Sequence, residues 1–406
     1  MTTASPEHVP MKAPPAAKQM SPVEWLKKNL FSNWFNSLLT IIVALVLFQF
    51  IGGFFHWAFT TAQWRVIPAN LPLYIVGLYP ADQYWRIWVL TAIIVSLSGL
   101  TWGVLARNVA RLYSRPVLIG IAIVGALAVL TPTPPLYRLL LLGCVALVVA
   151  GAWIGRSLGQ RISEIGRWLS VAWILLFPVA MWLIGGGLGL PAVRSDNWGG
   201  LMLTLLTAIA GILLCFPLGV ILALGRRSPL PIIRWLSTIY IELIRGIPLI
   251  AILFMGQVMI PLFLPEGMRP DRILRAIIGL TLFSAAYLAE NVRGGLQAIP
   301  RGQTEAANAL GLNTPKTLAL IVLPQALKVS IPVIVGQFIS LFQDTTLLSI
   351  VGLLELLGMG RSILANPEFL GRYAEVYLFV GVIFWVFCYA MSLGSRRLEK
   401  ALSSEH

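Results

Sequence analysis

Five charged side chains stand in or at the edge of long apolar runs: Glu242, Arg245, Glu290, Arg293 and Asp344. A charge in hydrocarbon is costly, and it is kept mainly where it lines a polar path or meets a partner. Two chemistries are open to such a set. Lining a cavity, these groups can meet the opposite charges of a polar solute in transit; strung together, Glu242, Glu290 and Asp344 can relay protons. A structural reading competes with both, pairing Glu242 with Arg245 and Glu290 with Arg293, each three residues apart on one helix face. Asp344 has no such neighbour and sits in mid-span beside Gln343, Thr345 and Thr346. The candidate lining of a substrate pathway is therefore Glu242, Arg245, Glu290, Gln343, Asp344 and Thr345.

A second pattern is a polar island, residues 300–324, framed by apolar runs of membrane length. Pro300 suits a first helical turn, the residues up to Leu310 favour helix, and Gly311 suits the left-handed residue that closes one. Thr314 before Pro315 reads as a second cap. This predicts two short helices bent about Gly311, offering Gln303, Glu305 and Asn308 to water or to a partner. A helix so short is marginal in water, so contacts with a partner or with the rest of the chain must hold it.

These residues need a membrane around them. The chain is 58% hydrophobic and only 11% charged, with a mean hydropathy of +0.83, against about 25% charged in soluble domains. Uncharged runs long enough to span, about 20 residues, lie near 38–58, 87–106, 139–155, 168–190, 201–224, 246–265 and 376–394. Weaker ones lie near 117–131, 276–292 and 327–350. The fold class is an all-α polytopic membrane protein of about 10 transmembrane helices.

The net charge of +14 is spread over short loops rather than gathered on one face, so it reads as topology and not as a nucleic-acid surface. A cytoplasmic N-terminus puts Lys27, Lys28, Arg107, Arg111, Arg115, Arg156, Arg161, Arg167, Arg226, Arg227, Arg396 and Arg397 inside, together with the polar island. Four regions follow: a disordered tail 1–22, about five spans in 23–194, a second five-span unit in 195–396, and a tail 397–406. The aromatics of the outer segment 59–85, among them Trp64, Tyr74, Tyr79 and Trp85, are expected at the bilayer interface. The glycines at 185–189, ahead of Pro191, read as a flexible hinge between the two units. Pro217, Gly246, Pro248 and Pro332 are expected to kink or break their helices. Cys144, Cys215 and Cys388 show no paired spacing, and no metal site is expected.

Two apparent catalytic motifs are set aside. Residues 155–159 fit G-x-S-x-G, but that serine needs a strand-to-helix elbow and a histidine partner. Lys316 and Thr317 close a glycine-containing loop in which Pro315 occupies a position a phosphate-binding loop gives to Gly.

The spacing of Glu305, Ala306, Ala307, Gly311, Ile321, Leu323 and Pro324 resembles the signature loop of permease subunits of bacterial ABC importers. The approach to it agrees at Ala286, Tyr287, Ala289, Glu290, Arg293, Gly294, Gly295, Gln297, Ile299, Pro300 and Gly302. Glu242, Leu243, Arg245, Gly246, Pro248 and Leu249 resemble a second element of the polar amino acid branch, with Ile247 where many relatives carry Thr. Asn197, Trp198, Gly199 and Thr204 resemble the start of the first core span. Asp344, Thr345, Thr346 and Leu347 resemble a Lys-Asp-Thr-Ser-Leu element, although Gln343 replaces the Lys. The long first unit resembles the larger permease of general L-amino acid uptake systems.

The resemblance implies a type I importer core in 195–396 and a non-catalytic subunit in a bacterial inner membrane. Its loop 300–317, through Gln303, Glu305, Ala306, Ala307, Asn308 and Gly311, would couple to the ATPase. It further implies a second permease subunit, a dimer of ATP-binding subunits carrying ATP and Mg, and a periplasmic amino-acid-binding protein, with no cofactor on this chain. The competing expectation is an autonomous proton-coupled transporter using Glu242, Glu290 and Asp344. A weaker one is a structural membrane scaffold.

Overall fold

Backbone amides in hydrocarbon must bond within their own segment or within a closed barrel, and this chain takes the helical solution. The computed structural model describes residues 21–131 and 133–403. The expected tail 1–22 falls outside them up to residue 20, as does the end of the tail 397–406. Among the described residues the only β pairings are two isolated bridges, Gly187 with Leu190 and Gly200 with Glu355.

Residues up to Gln63 form one compact unit and those from Trp64 a second. In the first, α1 (Pro22–Asn29) starts at a capping box in which Ser21 and Glu24 satisfy each other's backbone N–H. Helix α2 (Trp34–His56) continues through a π-helical turn to Thr61, an apolar helix of 28 residues with none of them buried.

The second unit opens with two short helices, α3 (Val66–Ala69) and α4 (Leu71–Val76), then α5 (Tyr84–Leu105), α6 (Arg115–Leu130), α7 (Pro135–Arg161) and α8 (Ile165–Gly185). It continues through α9 (Gly200–Arg226), α10 (Pro231–Gly246), α11 (Leu249–Phe254), α12 (Ile260–Phe263) and α13 (Arg272–Ala298). Last come α14 (Arg301–Ala309), α15 (Thr314–Thr317), α16 (Leu323–Asp344), α17 (Leu356–Leu364) and α18 (Tyr373–Ser403). Among the described residues eight helices are long and apolar enough to cross a membrane, or nine if α10 to α12 form one broken span; α6, at 16 residues, is shorter. The two arms of the broken span meet at 101°. Gly246 and Pro248 explain the break, since Pro cannot donate to the ladder and pushes its predecessor out of the helical region. Pro217 and Pro332, by contrast, lie within α9 and α16 without ending them.

Helices α5 and α7 meet backbone to backbone. A Cβ on Gly103 would stand 2.1 Å from the Ala152 carbonyl oxygen, and one on Gly155 2.3 Å from that of Leu100. Gly99, Gly151 and Gly159 complete the seam. The G-x-S-x-G match is thus half of a helix-packing motif, in which small residues four apart admit a close crossing. Helix α13 is the axis of the second half: Ala276, Leu280, Ala285, Ala289 and Val292 are fully buried. Gly295 lets α16 cross it closely, because a Cβ there would lie 2.6 Å from the Ala326 carbonyl oxygen.

Two expectations are corrected at the other end of these helices. Tyr74 and Tyr79 are buried in protein rather than placed at the bilayer interface. The Tyr74 ring packs edge-on to Phe379 at 4.9 Å, and the Tyr79 hydroxyl donates to the Ile184 carbonyl at 2.8 Å. The 185–191 hinge is a clamped turn: Val193 N–H bonds the Gly185 carbonyl at 2.9 Å, and buried Arg86 donates to the Pro191 carbonyl at 2.9 Å. Its glycines serve the positive φ of Gly186, Gly187 and Gly189.

Candidate functional site

Helix α14 follows α13 across Pro300, which lies just outside it in an extended conformation. The loop has the predicted form, two short helices with Gly311 at φ 79° between them. Leu310 N–H returns to the Ala306 carbonyl, and Leu312 N–H to that of Ala307, both at 3.1 Å, closing the turn that a left-handed residue permits. The second cap is Asn313 rather than Thr314: its Oδ1 accepts from Lys316 N at 3.1 Å, and Thr314 is already helical. An Asn side chain one residue earlier reaches the same amide.

Ala307 is the buried residue of α14. Gln303, Glu305, Ala306, Asn308 and Gly311 are exposed, and so is Leu310, at 82%. Gln303 Oε1 also accepts from Gln325 Nε2 of α16 at 3.1 Å. The loop therefore rests on the bundle through Ala307, the Gln303–Gln325 amide pair and buried Thr317, and turns the polar face of α14 outward.

Inward from the loop lies an ion cluster centred on Glu290. Its carboxylate meets Arg226 of α9 at 2.6 Å, Arg293 at 2.8 Å and Arg245 of α10 at 3.8 Å. Glu242 pairs with Arg226 at 2.7 Å. The Glu290–Arg293 pair exists as the i,i+3 spacing suggests. The expected Glu242–Arg245 pair does not: the two part, Glu242 toward α9 and Arg245 toward Glu290 and the face of Tyr287, 5.3 Å from the ring centroid. Sequence reasoning missed Arg226 because it reads as the last residue of a span, 64 positions from Glu290. The cluster joins α9, α10 and α13, with Glu290 accepting bonds from two guanidinium groups.

The third candidate set is brought together only in part. Asp344 lies at the end of α16, where the chain tightens into a 3-10 helix (Thr345–Ser349), and not in mid-span. The apolar helix reaches back to Thr314, which moves its centre away from Asp344. Among the described residues the Asp344 carboxylate has no hydrogen bond or ion pair, and Gln343 beside it is exposed. Thr345 is fully buried, its hydroxyl donating to the Phe342 carbonyl at 2.7 Å, so it offers no free polar surface.

A buried carboxylate that sequence reasoning passed over is Glu355. It caps α17, accepting from Leu357 N and Gly358 N, each at 2.8 Å, and next to it Leu356 N–H donates to Thr204 at 3.1 Å. Burial pushes its acid up to about 7, against the two amide bonds and Arg361, which pull it down. The available signal was an acidic residue just ahead of a short apolar helix. At the end of the bundle away from the loop, a cavity of about 670 Å³ opens between α8, residues 193–198 and α13, lined by Met181, Arg194, Asp196, Trp198, Asp271 and Ile277.

The chain is 37% identical over 398 residues to the inner membrane amino-acid ABC transporter permease protein YhdY of Escherichia coli, covering 94% of this chain and 93% of that one. It belongs to the amino-acid ABC transporter permeases. Residues 215–404 match the family model of the binding-protein-dependent transport system inner membrane component. The glutamate/glutamine/aspartate/asparagine permease BztC of Rhodobacter capsulatus is 36% identical, with 97% of this chain and 96% of that one covered. The probable glutamine permease GlnP of Bacillus subtilis is also 36% identical, but 91% of it covers only 50% of this chain. The permease is thus a multi-pass inner membrane transport subunit. That membership, and a Glu290 saturated by guanidinium groups, set aside the autonomous proton-coupled reading.

Proposed function

We propose that this permease subunit imports polar L-amino acids using ATP hydrolysed on a separate pair of ATP-binding subunits that dock on α14 and α15. Mg and ATP belong to those subunits. The loop and both termini face the cytoplasm, a periplasmic binding protein delivers the amino acid to the opposite end, and a second permease completes the pathway. The observation that carries this reading is the exposed face of α14 with Gln303, Glu305 and Asn308, continued by Gly311 in the turn after it, a polar surface kept on a helix too short to stand alone. The four amino acids in the name of BztC, each acidic or an amide, support the substrate class.

In this reading Glu290, Arg226, Arg245 and Glu242 act as a brace. Nucleotide-driven closure pushes α14, and through Pro300 the push reaches α13. The brace makes α9 and α10 move with it as one rigid body, the kind of motion that switches access in transporters built from paired units. Asp344 and Gln343 then face the substrate, whereas the clustered charges do not.

The test is ATP-dependent amino acid uptake by proteoliposomes holding the whole transporter, with Glu305→Lys and Gly311→Pro in this chain. Both substitutions are expected to abolish uptake and release the ATPase while the permease stays folded. Undiminished uptake in both would remove the docking role.

A further inference from the structure

Between Asp82 and Glu164 the chain contains no acidic residue, yet Arg107, Arg111, Arg115, Arg156 and Arg161 fall in that stretch at one end of α5, α6 and α7. Positive charge flanking a span is expected from topology alone. The structure adds an arrangement that topology does not require.

The segment 106–114 does not loop away from the bundle but folds back along α7. The Tyr113 hydroxyl donates to the Val149 carbonyl at 2.6 Å, and the Tyr113 ring stands edge-on to Trp102. Leu112 is buried. Arg156 donates to the Val109 carbonyl at 2.8 Å, and Gln160 to the Arg107 carbonyl at 3.1 Å. Val149 is 12 residues from the end of α7 at Arg161, about 18 Å along the axis. Arg111 and Arg115 flank the Tyr113 anchor, so they are drawn well down the side of that helix.

Helix α6 then begins at Arg115 and has only 16 residues. It is about 24 Å long, short of the roughly 30 Å of hydrocarbon. A short helix is met by a thinned bilayer, with headgroups pulled toward its end and long side chains reaching out to them. Those headgroups meet a cluster of exposed arginines, Arg107, Arg111, Arg115 and Arg161. Among the described residues the one ion pair here is Arg167 with Glu164 at 3.9 Å; Arg107, Arg111, Arg115 and Arg161 have none. Arginine presents a planar fork suited to a phosphate, and it is less strongly hydrated than lysine. Trp153 and Trp168, both 66% exposed, place an interfacial ring on α7 and on α8.

We propose that this arginine cluster, carried by residues 106–115 and the Arg156 to Arg161 end of α7, binds the phosphodiester headgroup of an anionic phospholipid. The extension would thereby tie the permease to the anionic lipid of its own leaflet.

The test is the association of spin-labelled phosphatidylglycerol and phosphatidylcholine with the purified full-length permease in bilayers. Wild type is expected to prefer phosphatidylglycerol at least about fivefold. The triple variant Arg107→Gln, Arg111→Gln, Arg115→Gln is expected to lose most of that preference. Arg234→Gln, Arg396→Gln, Arg397→Gln, which removes the same charge elsewhere, is expected to keep it. No preference in wild type overturns the proposal whatever the variants do, and so does an equal loss in both triples. Displacement of the labelled lipid by inorganic phosphate, beyond that by chloride at equal ionic strength, would assign the arginine cluster to a free anion instead.

Discussion

A single carboxylate organises the charged interior of the core. Glu290 is 16% exposed and meets three guanidinium groups, whereas Glu242, at 56%, meets one. Removing one partner of a buried pair leaves the others uncompensated and costs about 3 kcal/mol, but exposed pairs contribute less than about 1 kcal/mol. Glu290→Gln is therefore expected to lower the thermal stability of the purified permease far more than Glu242→Gln; equal shifts would mean that no brace exists. Glu355 belongs to the same scale. Its acid is raised from 4.5 to about 7, so between those values the folded state holds more protons than the unfolded one, and stability falls as pH rises through that window. Glu355→Gln keeps an oxygen to cap α17 and cannot ionise. Its unfolding midpoint, followed from pH 5 to 8, is expected to decline less than that of wild type, and parallel curves would contradict the raised acid. The sequence shows part of this. The i,i+3 rule finds Glu290 with Arg293, yet it misassigns Glu242 and Arg245, because the stronger partner of each comes from another helix and the cross-helix distance is set by packing.

Helix existence was legible because 20 apolar residues in a row have few alternatives, and the short polar helices around Gly311 were legible because turn chemistry is local. What escaped was packing. Gly99 with Gly103, and Gly151 with Gly155 and Gly159, carry the four-residue spacing of a close helix crossing, a signal present in the sequence but hidden by the resemblance of residues 155–159 to a hydrolase motif. At this scale the expected outcome is specific. Gly155→Leu must push a side chain into the Leu100 backbone, at a cost of about 2 kcal/mol or more, while Gly143→Leu on the same helix meets nothing within 4 Å. Thermal unfolding of the two variants checks it: a clear drop for the first and almost none for the second. The aromatics of residues 64–85 escaped for a related reason. Tyr suits both a bilayer interface and a protein interior that offers its hydroxyl an acceptor, and only the tertiary fold decides that Tyr79 finds Ile184.

Across the whole molecule the question is what the extension is for, and the contacts divide it in two. Residues 64–79 are built into the second half: Val66 and Tyr74 share a core with Leu356, Ile363, Val376 and Val380. Gly77 also packs so closely on Gly199 that a Cβ there would lie 2.4 Å from its Cα. The helix Trp34–Thr61 has no buried residue. GlnP is matched over 91% of its length by 50% of this chain, and the family model matches residues 215–404, which invites the view that residues 195–406 fold alone. The contacts argue otherwise, since deleting 1–194 strips Tyr74 from Phe379 and Gly77 from Gly199, exposing apolar surface at roughly 25 cal/mol per Å². Deleting 1–63 removes no residue from any of those cores. Size-exclusion profiles and melting curves of the two truncated chains separate the views: the chain beginning at residue 64 is expected to stay monodisperse with a melting point close to that of the full length, and the chain beginning at 195 to aggregate. If both stay monodisperse, the extension is an appendage; if only the shorter one fails, residues 64–194 are part of the permease core.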